Sequence, residues 1–189
     1  MNTRIIKGKG HIKNKIFEGY GIQMRPVTPS DLPSLRRWRN SPKINKQMTD
    51  ISHITPIKQR LWYERIINRV EEAHWVAWYK DVRTGYMNLK GQDSIYSQNS
   101  LDGGLYVGKS KVKHGLLGYA MAFMQLDIAF KFLFSIKYET SFRENNLSAS
   151  KFNQQLGYKE ISQKDGFIRV SINQKSYNKA KSSIIRYFK

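Results

Sequence analysis

The chain has 189 residues, 40% hydrophobic and 13% aromatic, enough for one globular domain with a sizeable core. Thirty-three Lys and Arg against fourteen Asp and Glu leave a net charge of +19, which points to an anionic partner: phosphate, nucleic acid or an anionic membrane face. The absence of Cys excludes disulfides, thiolate metal sites and a Cys nucleophile, and it fits a reducing compartment. The longest run free of charge and His, residues 115–126, is too short to span a bilayer, and residues 1–10 lack a secretory-type apolar core. The expectation is a cytoplasmic protein.

Much of the positive charge is terminal. Arg4, Lys7, Lys9, Lys13 and Lys15 open the chain, and Lys175, Lys179, Lys181, Arg186 and Lys189 close it, with no acid within residues 1–15 or 174–189. Both ends read as solvated tails: an extension over 1–19, one domain over 20–173 and a tail over 174–189. Within the domain, "YGIQMRPV" predicts a strand. "TPSDLPSLRRWRNS" predicts a helix capped by Ser30 or Asp31, with Leu32, Leu35 and Trp38 at helical spacing and Pro42 closing it. A second helix follows Thr55-Pro56, with Ile57, Leu61, Ile66 and Ile67 on one side. "HWVAWYK" and "RTGYMNLKG" predict adjacent strands joined at Asp81-Val82, and "LDGGLYVG" another. After a long helix come "FSIKYETSF" as strand, "NLSASKFNQQLG" as a helix stopped at Gly157, and "GFIRVSI" as strand. This order argues for a mixed α/β sheet with helices on its faces.

The long helix begins in "KHGLLGYAMAFMQLDIAF". Gly115 and Gly118 sit where the strand pattern ends and the helical spacing of Leu117, Met121, Met124 and Ile128 begins. A helix N-terminus offers unpaired N–H groups and a positive dipole end, and Gly lets a phosphate approach them. Lys109, Lys111, Lys113 and His114 add positive charge upstream. Two readings stand at this point: a pyrophosphate cradle, or a tight turn whose Gly residues only permit the bend.

A second stretch weights the first reading. In "NLSASKFNQQLGYK", Asn146, Ala149, Phe152, Leu156, Gly157 and Tyr158 fit N-x-x-A-x-x-[FLY]-x-x-x-L-G-[FY], which resembles the last helix and strand of the GNAT superfamily of acyl-CoA N-acyltransferases. The family's phosphate loop, [QR]-x-x-G-x-[GA], is similar to Lys113-His114-Gly115-Leu116-Leu117-Gly118, with a departure at Leu116. The resemblance covers residues 20–173 and implies a mixed, largely antiparallel sheet flanked by helices. "LRRWRNSPKINKQM", "ITPIKQRLWYERI", "GYMNLKGQD" and "LDGGLYVGK" further resemble bacterial enzymes that acetylate nucleotide-linked amino-deoxysugars, as in pseudaminic acid synthesis.

The resemblance implies transfer of acetyl from acetyl-CoA to a primary amine, without a metal. It places acetyl-CoA against Tyr106, Val107, Lys113, His114, Gly115 and Leu116, and then Leu117, Gly118, Tyr119, Asn146, Ser148 and Phe152. The backbone N–H groups of Tyr106 and Val107 would meet the oxyanion. Trp38, Arg39, Asn40, His74 and Asn88 become the expected acceptor-binding residues. Asp102 is the candidate base, directly or through a water, with His74 second; an Asp before Gly-Gly also reads as a turn residue. The family's acidic Tyr on the last helix is Asn153 here, which leaves Tyr106 or solvent to help the thiolate depart. Trp38 and Trp62 also read as core, and Arg39-Asn40 as helix-end structure. Two other functions compete: a protein or peptide N-acetyltransferase, and a nucleic-acid-binding module, which the charge favours without any recognisable motif. A homodimer is allowed by the resemblance.

Overall fold

The computed structural model describes residues 2–96, 99–108 and 116–188. Among them the centre is a ten-stranded sheet in the order β1-β2-β3-β4-β5-β6-β8-β10-β9, with β7 beside β5. The strands are β1 (Arg4–Lys7), β2 (Ile16–Gly19), β3 (Ile22–Pro26), β4 (Glu72–Tyr79) and β5 (Val82–Lys90). They continue with β6 (Ser100–Asp102), β7 (Leu105–Val107), β8 (Lys137–Arg143), β9 (Lys159–Lys164) and β10 (Phe167–Asn173). The pairings are antiparallel except β6 with β8, so the mixed, largely antiparallel sheet expected is the one found.

Side-chain alternation along β4 and β5 divides the interior in two. Trp75, Ala77, Met87 and Leu89 point into the larger core, against Met121, Phe123 and Met124 of α4 (Leu117–Asp127). Val76 points the other way, towards Leu35 and Trp38 of α1 (Leu32–Arg39), Ile44 of α2 (Pro42–Asn45) and Trp62 of α3 (Pro56–Asn68). A strand covered on both faces must be apolar at successive positions, which is why "HWVAWY" shows no regular polar alternation.

Local chemistry accounts for the element ends. Thr55 caps α3 by accepting the Lys58 N–H at 3.2 Å, with Pro56 in the first turn. Pro42 begins α2 rather than merely closing α1, because a helix start needs no N–H from its first residue. The β4–β5 hairpin turns at Lys80 and Asp81, both with positive φ (46° and 56°), one residue before the expected junction. On α3 the expected inward side is corrected: Ile66 is buried, but Ile57, Leu61 and Ile67 are exposed and Gln59 is packed in their stead. Trp62 sits edge-on to His74 and sets that rotation.

The charged ends are not solvated tails. β1 and β2 pair with each other and join the sheet through β3. At the other end α6 (Gln174–Ile184) buries Tyr177, and Phe188 follows it into the main core. Charge density hid these anchors. Asp127, fully buried at the end of α4, binds both ends together: it accepts hydrogen bonds from Thr3 (2.7 Å), Tyr20, Tyr177 (2.9 Å) and Lys181 (3.0 Å), and it pairs with Lys131 at 3.0 Å. Burial pushes its pKa up, but the Tyr20 hydrogen bond, the Lys181 charge and the Thr3 hydrogen bond outweigh this and hold it below the usual value.

Removing one partner of a buried ion pair leaves the other charge uncompensated, at a cost of about 3–5 kcal/mol. Asp127→Ala should therefore lower the unfolding free energy measured in urea at neutral pH by that order. Because the folded carboxyl titrates below the unfolded one, its contribution is complete above about pH 4 and is lost as pH falls through the folded value. Asp127→Asn should accordingly show a shallower acid loss of stability than the parent in the same titration.

Candidate active site

The site begins where the sheet parts. β6 runs parallel to β8 through Ser100↔Lys137, Leu101↔Tyr138 and Asp102↔Glu139. Beyond Gly103 and Gly104 the chain follows β5 alone, as β7, while β8 continues along β10. A Cβ at Gly103 would stand 2.2 Å from the Asn88 carbonyl oxygen and 2.7 Å from the Tyr138 hydroxyl, so only Gly passes here. Asn88 then holds the bend: its Oδ1 accepts the Gly104 N–H at 2.8 Å. Gln125 of α4 clamps it by donating to the Asn88 and Gly104 carbonyls at 2.8 and 3.1 Å.

The parted strands open a cleft of about 880 Å³. Leu105, Tyr106 and Val107 line one wall; Thr140, Ser141 and Phe142 line the other, continued by Phe152 and Asn153 of α5 (Leu147–Leu156). Asn88 and Gly104, and Gly108 and Thr84, are joined by ladder hydrogen bonds of 3.0 and 2.8 Å. Antiparallel alternation then turns the Tyr106 amide towards Tyr86 and leaves those of Leu105 and Val107 facing the cleft. The expectation of a Tyr106 N–H aimed at an oxyanion is corrected by this register.

The start of α4 packs on Phe152, which lines the cleft. Leu116 is its N-cap and makes no side-chain cap; the first intrahelical bond runs from the Ala120 N–H to the Leu116 carbonyl at 2.9 Å. The N–H groups of Leu117, Gly118 and Tyr119 precede that bond and form the positive end of the helix dipole. A Cβ at Gly118 would meet the Phe152 ring at an ordinary 3.6 Å, so neither φ nor packing requires Gly there. Tyr119 packs on Phe152 with ring centroids 4.9 Å apart and donates to Gln155.

The wall formed by α1 and the chain following it is charged and incompletely paired. Arg39 donates from one terminal nitrogen to the Asp50 carbonyl at 2.5 Å, while its buried Nη1 has no partner. Burial lowers its pKa, opposed by Tyr106, Asp50 and Tyr86. Gln47 Oε1 and the Tyr138 hydroxyl are likewise buried without partners, and all three residues line the cleft. Beside them Tyr86 stacks on Tyr106 at 5.2 Å and bonds His74 Nδ1 at 2.6 Å, and His74 Nε2 meets Glu72 at 3.1 Å.

The sequence matches no protein-family model and no curated protein, but solved structures share its architecture. FdhC, described as a nucleotide-linked sugar GNAT, superposes with a TM-score of 0.74 at 20% identity over 90% of this chain and 96% of its own. The N-acetyltransferase PseH of Campylobacter jejuni gives 0.63 at 14% identity over 82% and 99%. The aminoglycoside acetyltransferase AAC(6')-Ib, in complex with coenzyme A and kanamycin, gives 0.68 at 15% over 84% and 98%. This is the GNAT acetyltransferase fold.

On this GNAT frame the expected site residues separate. Arg39, Asn88, Tyr106, Val107, Asn146 and Phe152 line the cleft. Asn146 also caps α5, its Oδ1 accepting the Ala149 N–H at 3.1 Å, and Ser148 is exposed on the first turn. Trp38 is instead a core residue: it is buried and lies on Gly108, where a Cβ would be 2.1 Å from its ring. Asn40 is taken up by the loop, exchanging two 2.9 Å hydrogen bonds with the Ile54 backbone. His74 is buried behind Tyr86. Asp102 is exposed, opposite Lys90 and Glu139, and is not among the lining residues. Asn153 lines the cleft with its amide donated to the Ala149 carbonyl at 2.9 Å. Lys113, His114 and Gly115 lie outside the described residues. Among the described residues no three His, Asp or Glu are grouped as metal ligands, and no helix is long and apolar enough to cross a membrane.

Reading by motif missed Glu72, Gln47, Tyr86 and Tyr138. No motif signalled Tyr86: the turn at Lys80–Asp81 pairs Tyr79 with Val82, and a bulge at Ala77/Trp78 then shifts the register by one, so that His74 pairs with Asn88 and becomes a diagonal neighbour of Tyr86.

Gly118→Ala should fold normally, since its methyl group only touches Phe152. Gly118→Glu should fold too while placing bulk and negative charge at the helix start, and the urea midpoints of both variants should stay close to the parent's.

Proposed function

We propose that the protein is an N-acetyltransferase that moves acetyl from acetyl-CoA to the primary amine of a nucleotide-linked amino-deoxysugar. The observation that carries this reading is the parting of β7 from β8. An extended pantetheine fits such an opening as a substitute strand, with the outward amides of Leu105 and Val107 as partners. The bare start of α4 suits a pyrophosphate, and the basic residues 109–114 suit its charge. An amine attacking the thioester must be neutral, the developing oxyanion needs a donor, and a thiolate leaves without strong acid help because a thiol titrates near 8.5. The Val107 N–H is the proposed oxyanion donor. The Tyr138 hydroxyl, unpartnered beside Gly103, is the proposed proton donor to the departing sulfur, since Asn153 cannot supply a proton.

For the acceptor, Arg39 supports the sugar-nucleotide reading. A guanidinium can hold two phosphate oxygens at once, and Arg39 lines the cleft with its Nη1 buried and free of partners. Arg39→Ala should raise KM for a UDP-linked amino-deoxysugar roughly 10- to 100-fold, leave coenzyme A affinity unchanged, and be only partly rescued by Arg39→Lys. Acetylation of peptides alone, with UDP-sugars neither reacting nor competing, would replace this reading with a peptide N-acetyltransferase.

A further inference from the structure

We infer that Tyr86 is a catalytic residue: its hydroxyl, joined to His74 and through it to Glu72, carries the proton away from the acceptor's ammonium group. The inference rests on the acyltransferase reading but not on which amine is the acceptor.

The three groups form a line that reaches the cleft at one end. The Glu72 and His74 side chains are 7% and 4% exposed, and Tyr86 lines the cleft. Trp62 covers the imidazole, edge-on at 5.3 Å, and Tyr106 covers the phenol face. The direction of the hydrogen bonds follows from Glu72. Its hydrogen bond from His74 holds its pKa down to about 2, despite burial, so it is a carboxylate and can only accept. It therefore takes the Nε2–H, which leaves Nδ1 as an acceptor and makes the Tyr86 O–H the donor at 2.6 Å. The lone pairs of the phenol oxygen remain for a group in the cleft.

The proton balance closes on these three residues. The ammonium nitrogen releases one proton to the Tyr86 oxygen as the phenol's own proton passes to His74 Nδ1. The amine becomes neutral, Tyr86 stays neutral, and His74 becomes an imidazolium paired with the Glu72 carboxylate. Phenolate is never formed, which suits a group whose ionisation burial opposes. Burial likewise keeps His74 neutral before the step, with Glu72 opposing and Lys90 and Arg65 assisting. The surrounding groups are Glu72 on β4, Tyr86 and Lys90 on β5, Tyr106 on β7, Arg65 on α3, Arg69 beyond it and Arg39 on α1. The cations among them also disfavour an ammonium in the cleft. The second nitrogen proton, lost as the tetrahedral intermediate collapses, leaves on the thiol of coenzyme A, and the same path run backwards returns the His74 proton through the cleft to solvent.

Tyr86→Phe keeps the ring and removes the hydroxyl. Turnover near pH 7 should fall about 10²- to 10⁴-fold, coenzyme A affinity should hold, and the rate should climb with pH as free amine replaces the lost proton path. His74→Gln should show the same profile. The amine used is whichever the parent acetylates among a UDP-linked amino-deoxysugar, kanamycin and a short peptide, so a failed sugar reading leaves this test standing. Independently of any acceptor, ¹⁵N NMR of the parent should find His74 protonated on Nε2 and bare on Nδ1. A protonated Nδ1, an unchanged pH profile in Tyr86→Phe, or the loss appearing in Asp102→Asn with Tyr86→Phe spared would each overturn the inference.

Discussion

The cleft exists because one stretch of backbone cannot run straight. Gly103 passes so close to the Asn88 carbonyl that no side chain fits, and the hydrogen bonds from Gly104 to Asn88 and from Gln125 to both leave the chain only the path along β5. Had β7 continued beside β8, the amides of Leu105 and Val107 and the facing edge of Thr140 and Ser141 would have satisfied one another. The parting leaves backbone polar groups on two inner edges, and a ligand that behaves as a strand can pair with them at little cost in protein rearrangement.

That opening is useful only if the start of α4 stays where it is, and the far end of the same helix shows how it is held. Asp127 collects Thr3 from the first residues, Tyr20 from the β2–β3 turn, and Tyr177 and Lys181 from α6. A bare buried carboxylate would be expensive. Here its bonds come from three distant parts of the chain, so the charge serves as a clamp whose loss frees both termini at once. Part of the strongly basic composition therefore has an internal explanation: Lys181 and Lys131 face a buried acid, and Lys13 donates to the Ile67 and Arg69 carbonyls at 2.9 Å.

The sheet and most helices were legible from periodicity and end signals: the Thr55-Pro56 start, the Gly157 stop, and the strands "HWVAWY" and "FIRVSI". What escaped was whatever depended on contacts between distant segments. Residues 1–19 read as a tail because Lys and Arg dominate locally, whereas Phe17 is buried against Phe132, more than a hundred residues away. Trp38 and Asn40 share a motif with Arg39, yet a helix sends consecutive residues in different directions, so Trp38 went to the core and Asn40 to the Ile54 loop. Arg39 alone of the three faces the cleft. The Glu72–His74–Tyr86 line was invisible to motif reading because both the turn at Lys80–Asp81 and the bulge at Ala77/Trp78 set the register, and a one-residue slip changes every cross-strand neighbour.

Polar groups in this molecule are treated differently in two places. Around Asp127 both carboxylate oxygens are satisfied, and nothing is left to bind. Around the cleft Arg39 Nη1, Gln47 Oε1 and the Tyr138 hydroxyl are buried with no partner, each at a cost of about 1–3 kcal/mol. Trp78 Nε1 is also unpartnered, away from the cleft, but its ring is held between the guanidinium groups of Arg25 and Arg83 at 4.4 and 4.5 Å. No such compensation is visible for the other three. All three line the cleft, and a ligand that paired with them would satisfy groups the fold itself leaves without a protein partner, so part of its affinity would originate in the way the chain folds.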